Sequence, residues 1–454
     1  MEYELLMPKS SSSLAVRLRS YWPKDELFTL LILAAIVGVG GAFASLLFRA
    51  LLVGARHALD PHDKGLVAMA QLLPWWGRLL LPIMGGIAGG LVLKFGLRWV
   101  RSRGTNDYLE AITIGDGVLS IRQSLIKSLS SLISVDSGAS IGREGSMVQL
   151  AATFGSALGR LLKLPQSQLQ LLVACGATAG ITSAYNAPIA GTLFVVEIAM
   201  GNLSKATLGP LIVSSVVANV ITRWVFHLKA VYEMPPFVIA PGWEVFAYAG
   251  LGIVCGFLAP VFRSVLDGAR EGFNKLGEGL IVHMALGGVG VGLISIWVPD
   301  VWGNGYSVVN DILHNPFTWQ ALAAILFFKI IATALCAGSG AVGGVFTPTL
   351  FVGAALGALY GHVLVGISPL SDTSVTTYAI IGMGAFLASV TYAPLMSILM
   401  IFEMTLSYEA VLPLMLACVI GHSIAHHLRP DSIYGRAEPP VKMTGNRRVT
   451  DPKN

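Results

Sequence analysis

Long apolar runs separated by short polar joints set the pattern of this chain. Residues 28–54 and 75–97 are each long enough to cross about 30 Å of hydrocarbon as helices, and a polar loop with Pro61, His62, Asp63 and Lys64 parts them. The second run carries Gly85-Gly86 and Gly89-Gly90, small residues spaced so that helices approach closely in lipid. From 102 to 140 the pattern weakens into short polar and apolar pieces. It resumes with runs at 147–162, 169–184, 187–200 and 208–226, several of them too short for a full crossing. Short spans predict half-helices buried among neighbours, because broken helices are tolerated in a bilayer only where they line a cavity.

After a proline-containing connector at 230–242 the second half repeats the first. Phe48-Arg49 and Gly54-Ala55-Arg56 recur as Phe262-Arg263 and Gly268-Ala269-Arg270. Gly85-Gly86 recurs as Gly287-Gly288, and Gly155 and Gly159 recur as Gly357 and Gly361. Ala187-Pro188 followed by Glu197 recurs as Ala393-Pro394 followed by Glu403. Four matches in one order predict an internal repeat. Such repeats, often inverted, place a substrate site where they meet, facing half-helix N-termini.

Composition narrows the class. The chain is 54% hydrophobic and only 12% charged, against about 25% charged in soluble domains. The expectation is one all-α polytopic membrane domain: a polar head over 1–26, repeat 1 over 27–229, repeat 2 over 243–428 and a tail over 429–454. The net charge of +5 is no nucleic-acid signal, because the basic residues gather at the two ends. Both ends are then cytoplasmic, with an even number of crossings. The four cysteines lie far apart in apolar sequence and read as small buried hydrophobes, so neither metal nor disulfide framework is expected.

Candidate chemistry centres on Gly142-Arg143-Glu144-Gly145-Ser146, at the mouth of an apolar run. A helix N-terminus carries about half a positive charge and up to four unpaired N–H groups, and so attracts anions. Glu144 is an anion tethered at such a place, and a free anion would compete with it. In the repeat this stretch falls on Gly344-Val345-Phe346-Thr347-Pro348, so two N-termini converge, one from each half. That geometry suits a desolvated anion, which needs many donors and no full positive charge to trap it.

At these residues the chain resembles the CLC family of chloride channels and chloride/proton exchangers. The matching stretches are GREGS at 142–146, GGVFTP at 343–348, NAPIAGTLFVVE at 186–197 and SIYG at 432–435; TNDYLEAI at 105–112 is similar to the bacterial ClcB-type branch. The resemblance implies a homodimer of separate pores in a bacterial inner membrane, each subunit built from two inverted repeats of tilted and broken helices. It implies chloride held by the backbone N–H groups of Val345 and Phe346 and by the Tyr434 hydroxyl, beside Arg143 and Gly145. Glu144 matches the gating glutamate, and no cofactor is implied. Three positions depart from the family pattern. Ser146 replaces a proline. The serine of a central anion site is missing, leaving Ser102, Thr105 or backbone alone to serve there. Ile198 stands where many exchangers carry an inner glutamate for protons, which favours channel-like or weakly proton-coupled transport over a coupled antiporter.

Plainer roles compete at each position. Glu144 could be a structural ion pair with Arg143 or a helix cap. Glu197 and Glu403 are intramembrane acids, and their equivalence in the two repeats favours a structural role, bonding to N–H groups of a loop. A lone Tyr434 would be an interfacial anchor. His422, His426 and His427 read as a membrane-edge cluster rather than a metal site. Asp107 and Glu110 lack the nucleophile or metal constellation that a membrane-embedded hydrolase, the rival class, would need.

Overall fold

The computed structural model describes residues 26–59, 65–100, 105, 107–201, 204–226, 232, 235, 244–277, 279–314, 317–367, 374–431 and 433–435. The polar head, nearly all of the 230–242 connector, Ser102 and the tail beyond Gly435 lie outside them.

The first half begins with α1 (Glu26–Leu59), α2 (Leu66–Leu72) and α3 (Trp75–Arg98). Then come α4 (Tyr108–Thr113), α5 (Ile121–Asp136), α6 (Glu144–Leu161) and α7 (Gln166–Tyr185). The half closes with α8 (Pro188–Phe194), continued by a π turn over Val195–Met200, and α9 (Lys205–Val220). The second half runs through α10 (Glu244–Lys275), α11 (Leu280–Trp297), α12 (Tyr306–His314) and α13 (Trp319–Gly338). It ends with α14 (Phe346–Ile367), α15 (Val375–Thr391), α16 (Pro394–Thr405) and α17 (Val411–Leu428). Eight helices among the described residues are long and apolar enough to cross a membrane. Their outward faces are apolar, with Phe43, Leu47, Phe246 and Phe257 exposed. Trp75, Trp99, Trp297 and Trp319 stand exposed at helix ends, where amphipathic rings mark membrane interfaces.

One element departs from the sequence pattern. Residues 121–136 form a 16-residue helix inside the stretch that reads as broken pieces. Five of its seven buried residues are serines, Ser124, Ser128, Ser130, Ser131 and Ser134, and only Val135 is apolar. Ser134 packs against Gly89 of α3 and Ser130 Oγ donates to the Gly89 carbonyl at 2.9 Å, while Ser124 accepts from Gln149 and Thr153 of α6. A hydroxyl-lined face conceals the helical period from a hydrophobicity count.

Equivalent residues of the two halves make equivalent contacts. A methyl group on Gly155 would overlap the Leu172 carbonyl of α7, and one on its counterpart Gly357 would overlap the Tyr378 carbonyl of α15. Glycine is needed there because the backbones of paired helices touch. Glu403 accepts from the N–H groups of Ile189 and Ala190 at 2.9 and 2.8 Å. Glu197 accepts from those of Leu395 and Met396 at 3.2 and 2.7 Å. Each half thus caps the first turn of the other's proline-led helix with a carboxylate, a place where the helix dipole favours negative charge.

Candidate functional site

Two backbone turns, one from each half, meet in the interior. The Gly142 N–H donates to the Gly344 carbonyl at 2.7 Å, and the Gly344 N–H donates to the Gly142 carbonyl at 2.8 Å. The pair forms an isolated antiparallel bridge. Immediately beyond it start α6, at Glu144, and α14, at Phe346. First-turn N–H groups have no acceptor four residues back, so both helices present donors beside the bridge.

Glu144 is buried, with 4% of its surface exposed. Its Oε1 accepts from the Tyr306 hydroxyl at 2.6 Å and from Asn304 Nδ2 at 3.3 Å. Its Oε2 is buried without a hydrogen-bond partner. The ion-pair reading does not hold: among the described residues Glu144 makes no salt bridge, and the Arg143 guanidinium lies over the Tyr306 ring, 5.5 Å from its centroid. Glu144 is the first helical residue and Arg143 the capping position, with no side-chain cap bond. One carboxylate oxygen is thus held and the other left over, and an unmade buried hydrogen bond is costly.

Phe346 is buried in an aromatic chain. Its ring centroid lies 5.2 Å from Tyr185 and 6.0 Å from Phe194. Phe194 meets the Tyr434 ring edge-on at 5.7 Å. Tyr434 is thereby brought to the N-terminus of α14, and its hydroxyl has no hydrogen-bond partner among the described residues. The Ile433 N–H donates to the Val390 carbonyl at 3.3 Å, which holds this short segment against α15. Tyr185 Oη and Thr347 Oγ1, 2.8 Å apart, hydrogen-bond within the same cluster.

Other expected residues have partners of their own. Thr105 Oγ1 donates to the Val118 carbonyl at 3.1 Å. Asp107 caps α4 by accepting from the Leu109 N–H. Ile198, on the π turn, packs against the apolar core. His422 and His426 lie ring to ring with Tyr392 at 5.5 and 5.4 Å.

Three residues important to the site went unread in the sequence. Asn304 and Tyr306, which hold Glu144, alternate with Gly303 and Gly305, both in the left-handed region, and look like ordinary loop. Lys329 is fully buried in the middle of α13, where a charge at such depth is a signal in itself. Its Nζ donates to the carbonyls of Val301 and Gly303 at 3.0 and 2.9 Å and sits 5.0 Å from the centroid of Phe351. It therefore ties down the loop that presents Asn304 and Tyr306.

Fold and site together define a polytopic helical membrane protein with a buried carboxylate between two opposed helix N-termini. Residues 84–426 match the family model described as voltage gated chloride channel, and the chain belongs to that CLC family. Over 412 residues, 90% of this chain and 96% of the relative, it is 56% identical to a protein named as a ClcB-like chloride channel in Ralstonia nicotianae. It is 39% identical to the voltage-gated ClC-type chloride channel ClcB of Escherichia coli strain HS, over 90% of this chain and 98% of that one. The crystal structure of a slow cyanobacterial Cl−/H+ antiporter has the same fold, with a TM-score of 0.78 at 23% identity over 89% of this chain and 96% of that one.

Proposed function

We propose that this protein passes chloride across a bacterial inner membrane, with the Glu144 side chain as the gate. The observation that carries this reading is the half-satisfied buried carboxylate beside two helix N-termini. Protonation or displacement of Glu144 removes its negative charge from beside those helix starts and leaves the place to chloride. The first-turn N–H groups of Gly145, Val345 and Phe346, with the Tyr434 hydroxyl, then receive the ion, and Arg143 adds a positive field beside them. No cofactor takes part and no covalent bond is made or broken. The functional unit is a homodimer with both termini cytoplasmic, and each subunit divides into halves over 27–229 and 243–428. The relatives named as chloride channels support the substrate. Ile198, an apolar side chain that cannot pass a proton, supports channel-like or weakly coupled transport. Purified protein in liposomes under a chloride gradient tests the mechanism. Dissipation of the gradient without uphill proton movement is expected, and stoichiometric uphill movement would establish the antiporter instead.

Two variants probe the site's parts. Tyr434→Ala removes a hydroxyl with no other partner among the described residues. Loss of a hydrogen bond to an ion should weaken chloride binding about tenfold, and a calorimetric affinity equal to the parent's would count against Tyr434 as a ligand. A methyl group at Gly142 would overlap Glu144 Oε2 and lie 3.0 Å from the Gly344 carbonyl. Overpacking of this kind costs about 1–3 kcal/mol, and the movable carboxylate yields more readily than the bridged backbone. Gly142→Ala should therefore flatten the pH dependence of chloride flux relative to the parent. A profile identical to the parent's would show that the carboxylate does not need its present seat.

A further inference from the structure

A cavity of about 250 Å³ adjoins the Glu144 site, and Arg49, Arg56 and Arg143 line it. Asn304 and Tyr306, the two residues that hold the Glu144 carboxylate, form part of its wall. Arg49 and Arg56 are seven residues apart on α1, which places them on one face of the helix. Arg56 faces Asp136, 4.0 Å away. Arg49 is half-buried and, among the described residues, has neither hydrogen bond nor ion pair, and its nearby charged groups are Arg143 and Arg56. Among the described residues, three guanidiniums and one carboxylate, Asp136, line the cavity. A partly enclosed concentration of one sign of charge raises the local population of the opposite ion.

The internal repeat sharpens the point. The counterpart of Arg49 in the second half is Arg263, which donates to the Asp431 carbonyl at 2.7 Å and lies 3.5 Å from Asp267 one turn on. The residue corresponding to Asp267 in the first half is Val53. The same arginine therefore has a fixed anionic partner in one half and, among the described residues, none in the other. We propose that Arg49, with Arg143, forms a separate anion subsite in this cavity, where a small monovalent anion waits before it exchanges with the Glu144 carboxylate. The anion enters past Tyr306 and Asn304, so its arrival loosens the donors that hold the gate. This subsite rests on the chloride reading of the neighbouring site for its role, but its occupancy does not depend on transport.

Bromide supplies a probe that scatters anomalously. Crystals of the full chain grown in bromide should show an anomalous peak within about 4 Å of the Arg49 guanidinium, the reach of an ion pair. In Arg49→Gln that peak should be lost. Liposome flux gives a second readout: Arg49→Gln should raise the half-saturating chloride concentration about threefold to fivefold, the effect of one partly exposed charge, and Arg49→Lys should restore most of it. A bromide peak in a protein that carries no chloride would uphold the subsite and overturn the transport reading. A parent crystal with no bromide in the cavity, or Arg49→Gln with unchanged half-saturation, would overturn the subsite.

Discussion

Glu144→Gln is expected to pass chloride at a rate that no longer depends on pH. On the proposed gating role, a proton on Glu144 removes the negative charge that excludes chloride from beside the starts of α6 and α14, so the parent's flux should rise as pH falls. A gate controlled by one proton permits at most about a tenfold change per pH unit. The amide keeps the shape and can still accept from the Tyr306 hydroxyl, so the variant isolates the charge from the packing. Glu144→Ala removes both and should be equally insensitive to pH. Any proton movement coupled to chloride should vanish in both variants. The measurement is chloride efflux from proteoliposomes between about pH 4 and pH 8, a span that begins near the ordinary carboxylate range. A glutamine variant that keeps the parent's slope would remove Glu144 from the gate, because no titrating group would then remain at position 144.

The sequence made some of this legible because the physics was local. Apolar runs longer than the hydrocarbon core could hardly be anything but helices, and the glycine and proline landmarks at fixed offsets carried the repeat. The capping role of Glu197 and Glu403 was readable from their equivalence alone: a residue needed twice, once in each half, serves the architecture. Illegible features depended on partners distant in the chain. The α5 helix buries serine against glycine, so its period is one of size and hydrogen bonding rather than of hydropathy. Asn304 and Tyr306 hold Glu144 across 160 and 162 residues, and nothing near them in the chain announces the contact. Arg49 stood out as a landmark of the repeat, but its lack of a partner among the described residues stands out only beside Arg263, which has two.

Lys329→Met should both destabilise the protein and loosen the gate. The methionine side chain fills nearly the same volume beside Phe351, so packing changes little. Two donors are lost, and the carbonyls of Val301 and Gly303 are left without them in a site where Lys329 is wholly buried. Hydrogen bonds to a charged donor contribute about 1.5–3 kcal/mol each, so a loss of about 3–6 kcal/mol is expected, measured as a lower unfolding midpoint in detergent. The functional consequence follows from the chain of contacts. Val301 and Gly303 lead directly into Asn304 and Tyr306, and those two donate to Glu144. With the loop slack, the carboxylate is held less firmly, and chloride flux at neutral pH should rise above the parent's. In a background of Glu144→Gln, where no carboxylate remains to be released, the same substitution should add little to flux while still lowering stability. The double-mutant cycle therefore separates the two effects of one lysine. If Lys329→Met raises flux by the same factor in both backgrounds, the lysine acts on the conduction path by another route and not through the residues that hold the gate.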